Sequence, residues 1–225
     1  MSSLDRPVWS SLTTTQAGLS VGDQLARRYA SDVNAFASAR DDSPAALERL
    51  AGLVGLGEQV FVLQVPLVAV PPGLAVVKEA LGVQMVDGGA RLPGGGGDAI
   101  VPLGDGDAAE MLTLAAVTEP GPFLPQTHRM GQFFGVRVDG RLVAMAGERM
   151  RFPGYAEVSG VCTHPDHRSQ GLARRLSIRV MSSIRARGET PFLHAWKTNV
   201  TAIRLYESLG FAYRCDVRVV VLARR

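Results

Sequence analysis

The most regular hydrophobic pattern lies in the second half of the chain. From Gly171 to about Arg187, Leu172, Leu176, Val180 and Ile184 recur at every fourth position. This spacing predicts an amphipathic helix of about 25 Å at 1.5 Å per residue, with Arg174, Arg175, Arg179 and Arg185 on its exposed side. Pro191 to Trp196 reads as a strand. Asn199 to Leu209 reads as a second helix, with Ala202, Leu205, Tyr206 and Leu209 on one face and Gly210 as its cap, and Phe211 to Leu222 as a final strand. Upstream, Phe133–Val138 and Arg141–Met150 flank Asp139-Gly140, a dipeptide suited to the positive φ angles of a hairpin turn. A second hairpin at Pro153-Gly154 leads into AEVSGVCT, residues 156–163.

The first half is less periodic. Ser43-Pro44 opens a helix in the cap-then-proline order, with Leu47, Leu50 and Leu53 inward, and QVFVLQV (59–65) reads as a buried strand. Four consecutive glycines in DGGARLPGGGGD, residues 87–98, hold no regular element and divide the chain into an N-terminal α/β region (1–92) and a C-terminal domain (98–225). Past them, Ala99–Leu103 is a short strand. Asp107 to Glu110 resembles a capping box for a helix with Met111, Leu114 and Ala115 on one face. The proline-rich EPGPFLPQTHRMG that follows is a loop.

Composition narrows the function classes. The net charge of +3 and pI near 9.2 are a mild basic excess that favours an anionic partner. Aromatic content of 6% and the lack of zinc spacing or an aromatic-basic surface signature speak against nucleic acid. Cys162 and Cys215 are too few for a disulfide framework, and the four histidines show no ligand spacing, so no metal is expected. The apolar run Val60–Val77 is broken by Gln64, Pro66, Pro71, Pro72 and Gly73, which argues against a membrane helix. The N-terminus lacks the form of a signal peptide, so a cytoplasmic protein is expected.

One stretch departs from ordinary helix chemistry. HRSQGLARR (167–175) places two arginines in a first helical turn, where the dipole is already positive and an anion is needed to offset them. Gly171 removes a side chain where a ligand would touch backbone, and the free amides from about Ser169 to Arg174 would form a cradle for a pyrophosphate. The bland alternative is an ordinary glycine turn beside a solvated basic face.

VCTHPDHRSQGLARRL, whose Arg168-Ser169-Gln170-Gly171-Leu172-Ala173 matches the pattern Gln/Arg-x-x-Gly-x-Gly/Ala, is followed by NVTAIRLYESLGF (199–211). Together they resemble the acyl-CoA-binding core of the GNAT N-acyltransferase superfamily over about residues 98–225. The resemblance implies an α/β (α+β) fold with a mixed, mostly antiparallel central sheet flanked by helices, to which the N-terminal region adds elements, as a degenerate copy of the same fold or as a cover. It implies an N-acetyltransferase using acetyl-CoA as acyl donor and a primary amine, of a small molecule or of a protein or peptide, as acceptor. Val161 and Thr163, with Cys162 between them, would meet the pantetheine arm; Arg168, Ser169, Gln170, Gly171, Leu172, Ala173 and Arg174 would hold the pyrophosphate; Asn199 would bind the pantetheine region. Tyr206 matches the residue that in many members protonates the departing thiolate, although the same spacing suits a core tyrosine. A catalytically inactive CoA-binding or sensing module is the alternative function.

An amine acceptor must lose a proton before attack, directly or through water. Glu148 and Glu157 are the candidate bases: a two-residue turn at Pro153-Gly154 sets 157 opposite 150 and 159 opposite 148, which puts both carboxylates on one sheet face about 7 Å apart. Glu157 is preferred because it sits on the cofactor-bearing strand, while a surface ion pair is the alternative for Glu148. Cys162 reads as a small buried hydrophobe and His194 as a satisfied histidine. His164 and His167 read as loop formers, and His128 as a surface residue. Family members often end in a hairpin, for which GFAYRCDVRVVVLARR leaves little room.

Overall fold

Breakers and turn residues set the strands of this chain apart, and the computed structural model describes them for residues 2–65, 67–92 and 100–224. The short α1 (Pro7–Leu12), a small antiparallel sheet of β1 (Ser20–Gly22), β2 (Ala26–Tyr29) and β3 (Ala37–Ala39), and α2 (Pro44–Gly52) open the chain. There follow β4 (Gln59–Gln64), the long β5 (Leu74–Asp87), β6 (Ile100–Leu103), α3 (Ala108–Thr118), β7 (Phe133–Val138), β8 (Arg141–Phe152) and β9 (Tyr155–Thr163). The chain closes with α4 (Leu172–Ala186), β10 (Thr190–Trp196), α5 (Val200–Ser208) and β11 (Phe211–Arg224). The glycine run at 94–97 lies outside the described residues.

Eight strands make one sheet in the order β4-β11-β5-β10-β9-β8-β7-β6, antiparallel throughout except for β9 against β10. β4 and β5 come from the half set apart by the glycine run, yet they are strands of this sheet and not of a sheet of their own. β5 is laid between β11 and β10, pairing with β11 from Leu74–Arg224 to Asp87–Phe211. The neighbour that a C-terminal hairpin would give β11 is therefore supplied from the first half of the chain. β5 lies between Pro71-Pro72-Gly73 and Gly88-Gly89, the punctuation expected of a strand. Its central Gly82 permits a close approach, since a Cβ there would sit 3.1 Å from the Ala195 carbonyl oxygen and from Val217.

The fourfold stripe of α4 is buried. Leu172, Leu176, Val180 and Ile184, with Met181, pack over β7, β8 and β9 and against Leu209 and Phe211. Each such side chain contributes about 1.5–3 kcal/mol on full burial. The capping box expected at α3 does not form: the Asp107 carboxylate accepts from the Gly104 amide at 2.9 Å and pairs with Arg137 at 2.5 Å. His128, expected on the surface, is buried with Nε2 2.8 Å from Asp105.

Candidate active site

Two neighbouring strands part company at the centre of the sheet. β9 and β10 pair only from Thr190–Tyr155 to Phe192–Glu157. Beyond that point β9 runs on with β8, and β10 with β5, leaving a gap between their diverging ends. Gly160, at φ 61°, bends β9 there.

A groove of about 450 Å³ crosses the outer end of the gap, lined by Val161, Cys162, Thr163, Arg168, Ser169, Gly171, Leu172, Ala173, Arg174, Asn199 and Tyr206. Of the residues singled out in the sequence for cofactor contact, only Gln170 is missing from this lining. His167, Thr201, Ala202 and Leu205, which lie within the two motifs but were given no cofactor role, join it, as does Thr118, which no motif marked. Two left-handed residues, Ser169 (φ 61°) and Gly171 (φ 72°), shape the loop that enters α4. Nothing lies within 4 Å of a Cβ built at Gly171, so backbone conformation and not space calls for glycine there.

That loop leaves its donors unused. Among the described residues, no backbone amide from Ser169 through Arg174 has a hydrogen-bond acceptor in the protein, whereas Arg175 N–H donates to the Gly171 carbonyl. Six successive donors at the positive end of a helix suit a pyrophosphate. Thr163 Oγ1 is buried without a partner on the groove's strand side. Asn199 caps α5, its Oδ1 accepting from Ala202 N–H at 3.1 Å. These features fit the phosphate and pantetheine of a coenzyme A thioester.

A second, inner cavity of about 220 Å³ shares Thr118, Val161, Asn199, Ala202 and Tyr206 with the groove. Its walls include Phe36, Phe61 and Leu63 from the first half of the chain, Gly82 of β5, and the loop Glu119-Pro120-Gly121-Pro122. Tyr206 lies where the two spaces meet. Its ring packs edge-on against Phe211 with centroids 5.8 Å apart, and its hydroxyl has no hydrogen-bond partner among the described residues. Burial, then the Glu157 charge, pushes its phenol up to about 12.

The two glutamates do not form the expected pair. In the β8–β9 register Glu148 faces Val158 and Arg151 faces Ala156, so Arg149 and Met150 together oppose the single residue Glu157. This bulge turns Glu148 to the opposite face, because one inserted residue inverts every side chain beyond it. Glu148 meets Arg187 at 2.9 Å, and burial pushes its carboxyl above the ordinary value despite that arginine. The same bulge brings Arg149 onto the face of Glu157.

Glu157 is wholly buried and saturated. It accepts from Arg149 Nε at 2.8 Å and Nη2 at 2.6 Å, from Met150 N–H at 3.3 Å, and from His194 Nδ1 at 2.7 Å. Burial alone would raise its carboxyl, but the Arg149 charge and these hydrogen bonds outweigh it and hold the group at about 2. His194, satisfied as its strand position suggested, meets Gln84 through Nε2 at 2.9 Å. Cys162 is buried, which pushes its thiol up to about 11 and leaves it unsuited to nucleophilic attack.

The carboxylate that remains in the cavity is Glu119. It is exposed at the end of α3, has no ion-pair partner among the described residues, and holds a left-handed φ of 48°. It lay in a segment read only as a proline-rich loop. Among the described residues no group of three or more His, Cys, Asp or Glu could hold a metal ion, and no helix is long and apolar enough to cross a membrane.

The family description FR47-like protein matches residues 134–220. The chain is similar over 100% of both lengths, at 45% identity and a TM-score of 0.93, to a solved structure described as an acetyltransferase of the GNAT family from Novosphingobium aromaticivorans. Two further likenesses are of fold alone. One is to a GCN5-related N-acetyltransferase from Kribbella flavida (19% identity, 97% of this chain and 93% of that one, TM-score 0.59). The other is to a GCN5-related N-acetyltransferase-like protein from Streptococcus suis (14% identity, 92% and 82%, TM-score 0.54). No curated protein sequence matches the chain.

Proposed function

The chain belongs to the GNAT family of acetyltransferases, and from that premise we propose that it transfers an acetyl group from acetyl-CoA to a primary amine held in the inner cavity. The observation that carries the reading is the meeting of two spaces at Tyr206: a groove floored by six unused amides and an inner cavity large enough for a small acceptor. When bound, acetyl-CoA supplies the thioester carbonyl that the amine attacks.

The chain's own residues have distinct tasks in this scheme. The amides from Ser169 to Arg174 and the side chain of Arg174 hold the pyrophosphate, and β9 from Val161 to Thr163 aligns the pantetheine arm. Tyr206 keeps its proton at neutral pH, since its phenol lies near 12, and its unpartnered hydroxyl is available to a thiolate. Glu157 is not available as a base, because four donors already occupy its lone pairs. Glu119 is the free carboxylate of the cavity and takes the ammonium proton, directly or through water.

Calorimetric titration of the protein with acetyl-CoA, followed by spectroscopic detection of thiol release with a panel of primary amines, tests this. Binding and amine-dependent release are the expected results. Binding without release for any amine would leave a coenzyme-binding module.

A further inference from the structure

Arg149 has a task left over after the ion pair with Glu157 is counted. Its Nε and Nη2 are spent on that carboxylate, and its guanidinium stacks over the Phe36 ring at 4.9 Å from the centroid. The side chain is only 11% exposed. Nη1 has no hydrogen-bond partner among the described residues, yet it is not sealed off, for Arg149 lines the inner cavity. It points toward the loop at Gly121, where a Cβ would come within 3.9 Å of it.

A guanidinium stripped of most of its water and left with an unfilled edge is costly unless an acceptor completes it. The open edge of a guanidinium presents parallel N–H donors, whose planar, two-oxygen complement is a carboxylate. Glu157 cannot turn to fill it, being fixed by His194 and Met150 as well. Among the described residues, no carboxylate lines this cavity except Glu119, exposed at its mouth. The cavity thus offers a buried cation and, two residues from Gly121 along the same loop, a free anion.

We infer that the acceptor is an amino acid in the broad sense: a small primary amine that also bears a carboxylate, which Arg149 Nη1 binds while the amine faces Glu119 and Tyr206. The inference rests on the acetyl-transfer reading above and names its substrate class. The volume of about 220 Å³ is below the roughly 300–1,000 Å³ of pockets for drug-sized ligands, which fits a compact molecule of this kind.

The test is a matched panel with saturating acetyl-CoA: glycine, β-alanine and glutamate, against glycinamide, β-alaninamide and ethylamine, each followed by thiol release. At least one free carboxylate compound should exceed its carboxamide about tenfold or more in kcat/KM, the discrimination of roughly 1.4 kcal/mol that one good charged hydrogen bond supplies. In Arg149→Lys, which keeps the charge beside Glu157 but loses the fork, that preference should shrink while Tyr206→Phe lowers all substrates alike. Melting curves identify any variant that fails to fold, and the panel on the unmodified protein decides the matter without one. Turnover of amides and plain amines as fast as carboxylates overturns this inference and leaves acetyl transfer standing. Absence of turnover with any amine, in protein that binds acetyl-CoA, overturns both.

Discussion

At Tyr206 one oxygen atom separates two roles. Its hydroxyl has no partner among the described residues, so Tyr206→Phe should leave the melting temperature and acetyl-CoA affinity unchanged. The rate constant kcat should fall by about 100-fold, the usual cost of losing a general acid. A loss under about threefold would assign the proton to another donor, being too small for a principal acid. Glu119→Gln should cut kcat/KM by about 100-fold with an unchanged melting curve and unchanged acetyl-CoA affinity. A loss under about threefold would remove Glu119 from the chemistry. Glu157→Gln should act differently, because it breaks a buried pair and leaves Arg149 with a neutral partner, at a cost of about 3–5 kcal/mol. The Glu157 carboxyl sits at about 2 in the folded protein against 4.5 ordinarily. Its stabilisation is therefore present above 4.5 and is lost as pH falls toward 2. Denaturant titrations of the two proteins should differ widely at pH 7 and converge near pH 2. A constant gap would contradict the ion-pair account.

At the scale of the element, the entry to α4 depends on conformation as much as on charge. Gly171 is left-handed at φ 72°, so any side chain there strains the backbone even though the space is open. Gly171→Asn is the least costly replacement, because asparagine tolerates this region. Gly171→Glu adds an anion to the loop proposed to hold phosphate, where like charges cost several kcal/mol. Calorimetry should find acetyl-CoA binding weakened more than about 100-fold by glutamate and only slightly by asparagine, with both variants folded and the glutamate variant melting at the lower temperature. Equal affinities in two folded variants would mean that the loop does not hold phosphate. The β8–β9 bulge is the second decisive element. One extra residue separates Glu148 from Glu157 and delivers Arg149 to the cavity in its place.

For the whole molecule, the shared sheet makes the two halves interdependent. β5 supplies the strand between β11 and β10, and Phe36, Phe61 and Leu63 wall the inner cavity. Residues 98–225 expressed alone would leave β10 and β11 with unpaired edges and exposed apolar faces, which invites aggregation. This fragment should show no cooperative unfolding transition by calorimetry. Co-expression with residues 1–92 should restore a soluble complex, and a cooperative transition in the isolated fragment would refute the dependence.

Local patterns carried much of this protein. The fourfold stripe of α4, the Asp139-Gly140 turn, Gly210 closing α5 and the glycine of the loop are short-range features, set by backbone geometry and by which face of a helix or strand avoids water. The sequence alone therefore determined the order of elements from Phe133 onward and named most of the residues that line the outer groove. Two things it could not determine. The partner of β11 lies more than a hundred residues away, and hydropathy does not record which strands pair. The faces of Glu148 and Glu157 depend on the count of residues in a bulge, which the dipeptide at the turn does not reveal. Tertiary packing settled both, because only the assembled sheet shows that Glu157 accepts four hydrogen bonds and that Arg149 is left with an open edge toward the cavity.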